Sequence, residues 1–374
     1  MIVLNFNTIR SYVNPSFSIG IYFLKNVMAN EKKHDYTVCM GDVEGSGICL
    51  RLILLEEYDE RTMELARPIY DRHRRVLLAA GRKIHPKYVE RLKQMDIRYV
   101  FVEDSVSEGI TLEELLDMPS WMDAIEVVQQ SFDAVRKREQ LPLRSLFKLA
   151  VKLVDEVKKR KVLAVIPATS LEMEAQPYAH AVNVALLSLQ LGKKLHLNDL
   201  QLRDVALGSL FHDIGKEIEG EAHHTVKGFE YLRKERELSL LCAHMAYQHH
   251  EHADGSGTPR GLKETDIHLY AQICAIANEY ENLISTEFVP PHEALEIIMA
   301  RSGIRYSQQL VRLFVDTIPA YLPGTMVKMS DGRNAIVTKI VEHMQRPYVR
   351  YTDTHEEIAL ADHPSLLIVG QAIL

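Results

Sequence analysis

From residue 177 to about 318, apolar residues recur at helical spacing, and only Gly192, Gly215, the loop 255–261 and Pro290-Pro291 break the pattern. A helical period kept up over that length predicts several helices around one core, because each must bury its apolar stripe against another. Upstream, Leu112, Leu115 and Leu116, then Ile125, Val128 and Phe132, carry the same spacing, so 111–165 also reads as helices. The pattern changes on both flanks. Residues 52–55 and 75–78 are apolar runs of strand length, a helix is expected over 86–95, and 97–102 reads as another strand. Pro86 suits that helix start, where its missing N–H costs nothing. After Pro323-Gly324, the runs 326–329 and 335–341 flank Ser330-Asp331-Gly332, a turn signal, and 348–351 and 366–369 add two strands. The expected fold is mainly α: a helical bundle over 145–322, a small α/β module over 51–104, a helical linker over 105–144 and a small β appendage over 323–374.

The chain has 374 residues, enough for more than one domain. Its net charge of −7 argues against a general surface for a nucleic-acid polymer. An anionic substrate must then be met by a local cation, for instance a metal ion. Cys39, Cys49, Cys242 and Cys274 form no Cys-x-x-Cys pair, which removes a zinc ribbon or a thioredoxin motif and reads as a cytoplasmic chain with reduced thiols. The apolar run 17–24 ends at Lys25, too short to cross a bilayer and without a cleavage pattern, so no membrane association is expected. Residues 1–50 include a glycine-rich stretch at 41–47 that lacks the Gly-Lys-Ser/Thr of a phosphate loop. They are expected to be poorly ordered, and a start codon assigned too far upstream is a further reading.

Chemistry is concentrated in two histidine motifs. Leu210-Phe211-His212-Asp213-Ile214-Gly215-Lys216 closes an apolar helix, so its polar side chains leave a rigid, buried element. Gly215 would admit a phosphate or a second helix, and Lys216 adds a cation within about one helical turn. His249-His250-Glu251 is followed by Asp254-Gly255-Ser256-Gly257-Thr258-Pro259-Arg260-Gly261-Leu262, which suits a metal site with a tight rim. Taken singly, such pairs are ordinary exposed helix ends. The chain holds two more, His34-Asp35 and His223-His224, and it is order and spacing together that set the first two apart.

The order His180, His212-Asp213 with Gly215-Lys216, His224 with Gly228, His249-His250-Glu251, then the glycine-rich loop, resembles the HD-GYP family across about residues 145–322. That family is a branch of the HD-domain phosphohydrolases that hydrolyses the bacterial second messenger cyclic di-GMP. The resemblance implies an HD-type helical bundle and a phosphodiesterase acting on cyclic di-GMP, or its linear dinucleotide, by a metal-bound hydroxide. It implies two divalent ions, iron or manganese. One would be held by His180, His212 and Asp213, with Asn278 at the place of a late aspartate ligand. The other would be held by a bridging Asp213 with His224, His249 and His250. Lys216 would neutralise a phosphate oxygen, making it and Asp213 the catalytic residues, and Asp254, Gly255, Gly257 and Thr258 would meet substrate with Lys216. A cyclic dinucleotide and bacterial signalling proteins are the implied partners, and a homodimer stays open.

Four positions depart from the family pattern. Thr258 replaces the tyrosine of Gly-Tyr-Pro. Asn278, in Ile276-Ala277-Asn278-Glu279-Tyr280-Glu281-Asn282-Leu283, replaces the aspartate, and Glu279 points about 100° away on the helix. Gln176 stands where three-metal members carry glutamate, so a third ion is not expected. Glu287-Phe288-Val289-Pro290-Pro291 occupies the place of basic residues that grip substrate phosphates. A second reading therefore stays open: a degenerate domain that senses a nucleotide or binds a partner protein without catalysis. Elsewhere, His244 and His252 read as rim or surface residues, His268 and His292 as solvent-facing, Trp121 as core or interface, and Lys152 with Lys158-Lys159-Arg160-Lys161 as a solvated helix face.

Overall fold

Strand β1 (Arg51–Leu54) alternates buried with half-buried residues, the signature of a strand covered on one face. After a 3₁₀ turn at Leu55–Glu57 come β2 (Glu64–Leu65), a hairpin of β3 (Ile69–Tyr70) and β4 (Val76–Leu78), helix α1 (Pro86–Gln94) and β5 (Tyr99–Glu103). β5 is central: β1 and β2 pair antiparallel with its two edges, Ile53 opposite Val100 and Leu65 opposite Val102. α1 opens on Pro86, as expected, and buries Leu92 in a small core with Ile53, Leu65, Ile84 and Ile97. β2 and β3 are two residues each, too short to leave a period in the sequence. The computed structural model describes residues 50–71, 73–111 and 116–372. The expectations for 1–49, including His34-Asp35, Cys39, Cys49 and the glycine stretch, and for Leu112 and Leu115, lie outside these residues.

The expected helical stretch 111–165 is two helices. α2 (Met118–Lys137) is capped by the Asp117 carboxylate, which accepts from Ser120 N, and it stops at Arg138, in the left-handed region at φ 58°. α3 (Leu143–Lys159) follows Pro142, and 160–167 then runs without helix. Two 3₁₀ turns, Ala168–Ser170 and Met173–Ala175, lead into α4 (Gln176–Lys194). α4 is buried from Tyr178 to Gly192 on every side except at His180, which is why it reads as apolar all round. It packs against α2, α5 (Asp199–Leu210) and α9 (Leu269–Ser285). Between these lie α6 (Lys216–Glu219), α7 (His224–Leu232) and α8 (Leu240–Gln248), with α7 against α8 and α8 against α5. α10 (Pro291–Ala300) and α11 (Gln308–Val315) complete a mainly helical fold around one core running from α2 to α11.

The C-terminal strands β6 (Met326–Met329), β7 (Asn334–Lys339), β8 (Tyr348–Tyr351), β9 (Glu357–Ala359) and β10 (Ile368–Gln371) make one antiparallel sheet in the order β10-β6-β7-β8-β9. β9 was not expected, being only three residues long. The last strand begins at Ile368 rather than 366, because Leu367 exchanges bonds with Ser330 instead. Arg350 ties the sheet to the stretch after β5 by donating to the carbonyls of Val106 and Glu108 at 2.9 and 2.8 Å. Among the described residues, no helix is long and apolar enough to cross a membrane.

Candidate metal centre

α5 ends at Leu210, and the turn that follows is anchored by Phe211 and Ile214, both fully buried. With those two side chains fixed in the core, His212 and Asp213 have little freedom of direction. The result is a carboxylate with one oxygen turned to each of two histidine groups. Asp213 Oδ2 lies 3.4 Å from His212 Nε2 and 4.0 Å from His180 Nε2. Asp213 Oδ1 lies 3.4 Å from His224 Nε2 and 3.6 Å from His249 Nε2. His180, His212 and Asp213 offer ligand atoms within 4.8 Å of one another, and so do His224, His249 and His250.

The far side of each ring fixes what the near side can do. His212 Nδ1 donates to Ser209 O at 2.7 Å, His224 Nδ1 to Glu221 O at 2.7 Å, and His249 Nδ1 to Ala246 O at 3.0 Å. His180 Nδ1 is bonded to the Glu281 carboxylate. These bonds leave the Nε2 lone pairs facing inward, and they face each other: 3.3 Å from His180 to His212 and 3.3 Å from His224 to His249. Two lone pairs at that distance need a cation between them, a proton or a metal ion. Burial pushes His249 down to about 3 and His250 to about 4, so neither ring holds a proton at neutral pH. The donor set fits divalent metal: imidazoles oriented by carbonyls or a carboxylate, around a shared acidic side chain.

Burial opposes the charge on Asp213, but the His212 ring and its neighbours outweigh it and hold the carboxyl far below its usual range. The same contest at His180 is won by Glu281, which raises the imidazole, while His180 lowers Glu281. Lys216 is partly exposed, and its Nζ lies 2.9 Å from Asp213 Oδ2 and 3.1 Å from Glu221 Oε2; burial would lower it, yet the Asp213 charge raises it. A cation thus stands beside the shared carboxylate.

Two glycines permit this geometry. A Cβ on Gly215 would fall 1.9 Å from His224 O and 2.6 Å from Gly228 N, so the close approach it allows is that of helix α7. A Cβ on Gly257 would meet His252 N at 2.2 Å and His250 O at 2.5 Å. The loop therefore lies directly on the backbone that carries the paired histidines. Thr258 N donates to His250 O at 3.0 Å, Asp254 spends a carboxylate oxygen on Ser256 N at 2.8 Å, and Gly255 N donates to His252 O. Glu251 is buried and spends both carboxylate oxygens on the loop, accepting from Arg260 N at 2.7 Å and Leu262 N at 2.8 Å.

Other candidates make contacts of their own. Asn278 is buried, and its Oδ1 accepts from Asn282 Nδ2 at 3.1 Å. Glu279 pairs with Arg301 and Arg305. Gln176 Nε2 donates to Asp96 O at 3.1 Å and Leu171 O at 3.0 Å. His268 is half-buried and caps α9, accepting from Tyr270 N. His292 is half-buried and stacked on Tyr321. His244 lies against Phe229, and His252 Nδ1 faces Ser256 Oγ at 3.0 Å. Trp121 is core, with its indole N–H donating to Asn183. The residue that sequence reasoning missed is Glu281. Its signal was a second acidic position three residues after Asn278 in an otherwise apolar helix, one turn from the same face. A cavity of about 420 Å³ opens among β1, Tyr280, Ile284 and the C-terminal strands, and none of the clustered histidines lines it.

The model of the HD domain family matches residues 178–283, which span every one of these ligand candidates. The stretch from α4 to α9 is thus similar to HD domains. The loop after the paired histidines carries Gly-Thr-Pro, and the curated relatives are named as phosphodiesterases of cyclic dinucleotides. Cyclic di-GMP phosphodiesterase PA4108 of Pseudomonas aeruginosa is 30% identical over 180 residues, covering 43% of this chain and 44% of that protein. A cyclic di-GMP phosphodiesterase of Thermotoga maritima is 29% identical over 177 residues, covering 41% and 48%. The match thus spans less than half the length of these curated relatives. Among solved structures, Bd1817, an HDG"Y"P protein from Bdellovibrio bacteriovorus, aligns over 71% of this chain and 98% of that one, at 17% identity and a TM-score of 0.44.

Proposed function

We propose that this chain is a metal-dependent phosphodiesterase that hydrolyses cyclic di-GMP or its linear dinucleotide. The observation that carries the proposal is the Asp213 carboxylate, whose two oxygens divide between the His180/His212 and His224/His249 pairs. That arrangement suits two divalent ions, with His180, His212 and Asp213 holding one, and Asp213, His224, His249 and His250 the other. Imidazole-rich sets of this kind favour iron or manganese. When bound, such ions supply Lewis acidity toward phosphate oxygens and make water more acidic.

The chain's own residues do the rest. Asp213 keeps its charge against burial and sets the spacing of the two groups. Glu281 fixes the His180 ring so that Nε2 points inward. Lys216 presents a cation to a non-bridging phosphate oxygen as charge builds there. The loop from Asp254 to Leu262 is braced by Glu251 and His250, so Gly255, Gly257 and Thr258 form a fixed rim for the substrate. The relatives named for cyclic di-GMP support the substrate class.

One observation favours a second reading, nucleotide binding without turnover. Asn278 brings no negative charge to the His180 side, and its carbonyl oxygen is already shared with Asn282. Anaerobic assay of cyclic di-GMP with Mn²⁺- or Fe²⁺-loaded protein separates the two. Release of the linear dinucleotide or of mononucleotide supports the enzyme; tight binding with no product supports the sensor and overturns the proposal.

A further inference from the structure

His180 differs from its neighbours in what holds it. His212, His224 and His249 each donate Nδ1 to a carbonyl three residues upstream, so these bonds form whenever the local turn forms. His180 relies on Glu281, 101 residues away. Glu281 is held in turn by Ser285 Oγ, donating to Oε1 at 2.6 Å, and by Asn183 Nδ2 at 3.0 Å. Ser285 is a junction. Its Oγ also accepts from Ala168 N at 2.9 Å, and its carbonyl accepts from Thr169 Oγ1 at 3.1 Å.

The turn at 168–170 is held from its other side by the N-terminal α/β module. Thr169 O accepts from Arg98 N at 2.7 Å, just before β5, and Met95 O accepts from Met173 N at 3.1 Å. Gln176, the first residue of α4, adds a second route. Its side chain clamps Asp96 O and Leu171 O, and His180 lies about one turn further along the same helix. Hydrogen bonds therefore run from residues 95–98 to His180 twice, through Ser285 and Glu281 and through the start of α4. Among the described residues, the bonds that orient His224 and His249 make no such connection.

We propose that Ser285 and Gln176 are positioning residues for the His180 side of the metal centre, through which the N-terminal module acts on that side and not on the His224 side. The inference rests on the two-ion reading above. A shift of residues 95–98 moves the turn at 168–170, releases Ser285 and lets the Glu281 carboxylate, and with it the His180 ring, turn out of line.

The test is an anaerobic Mn²⁺ titration of the full chain by calorimetry, with His180→Ala assigning which affinity belongs to which side. Ser285→Ala is expected to weaken the His180-side class by about 10–100-fold and leave the other within about twofold. Gln176→Ala should weaken the same class, and Ser285→Thr, which keeps the hydroxyl, should restore it. Circular dichroism checks folding; should Ser285→Ala not fold, Gln176→Ala and Ser285→Thr carry the comparison. Two affinities in the wild type with no change in the variants would overturn this inference alone, as would equal weakening of both. A wild-type chain that binds no ion would overturn the two-ion reading and this inference with it.

Discussion

Glu281 accepts a hydrogen bond from the Nδ1 of His180, and it does so from a fully buried position on α9 with Ser285 and Asn183 on its other oxygen. A carboxylate in the core survives because all its partners are in place, so removing it strands each of them. Glu281→Ala should cost about 3–5 kcal/mol of folding stability, read by urea denaturation. Glu281→Gln, which retains the shape, should lose less stability yet still bind the His180-side ion about 10–100-fold more weakly. A glutamine variant with unaltered metal affinity would show that the charge on this residue does not reach the site.

Gly215 has a helical φ of −65°, so its requirement is one of space rather than of backbone conformation. Alanine there pushes on the carbonyl of His224. Gly215→Ala is expected to lower stability by about 1–3 kcal/mol and to displace His224 from Asp213. Denaturant midpoint and metal content should fall together; an alanine variant equal to wild type in both would contradict the packing described.

Lys216 is the nearest cation to the shared carboxylate and remains partly open to solvent. Lys216→Met should lower kcat for cyclic di-GMP by about 10²–10³-fold, the usual loss for one donor to developing charge. Metal content should be nearly unchanged, since Lys216 donates no ligand atom. Unchanged kcat would remove Lys216 from catalysis.

Asn278→Asp adds a carboxylate about one helical turn before Glu281 on α9 and can keep the bond from Asn282. Mn²⁺ affinity on the His180 side should rise about tenfold or more, as expected for an added charge close to a divalent ion. Turnover should rise with it if incomplete metal occupancy limits the rate. No gain in affinity would mean that position 278 lies beyond reach of the ion.

The sequence announced those parts of the site that sit on local structure. His212-Asp213 and His249-His250 end apolar helices, and the glycines after them mark close backbone approach. Glu281 was hidden because its partner is 101 residues away, and two glutamates two residues apart in a largely apolar helix carry no period of their own. The same limit applies to the module's grip on α4: Asp96 with Gln176 and Arg98 with Thr169 are long-range bonds that no local pattern encodes. Helices were legible wherever the stripe ran beyond two turns. β2, β3 and β9 were not, because two or three residues cannot show alternation. The cap that His268 makes on α9 was not legible because it depends on where that helix begins.

The most direct test of a two-ion centre organised by one carboxylate is the number of transition-metal ions per chain, measured by elemental analysis of protein purified anaerobically without chelators, for the wild type and Asp213→Ala. The wild type is expected to carry two ions per chain, iron or manganese, and the variant to lose both, because each oxygen of Asp213 serves one histidine group. A wild type with no metal, or an Asp213→Ala protein that keeps its full complement, would contradict the account.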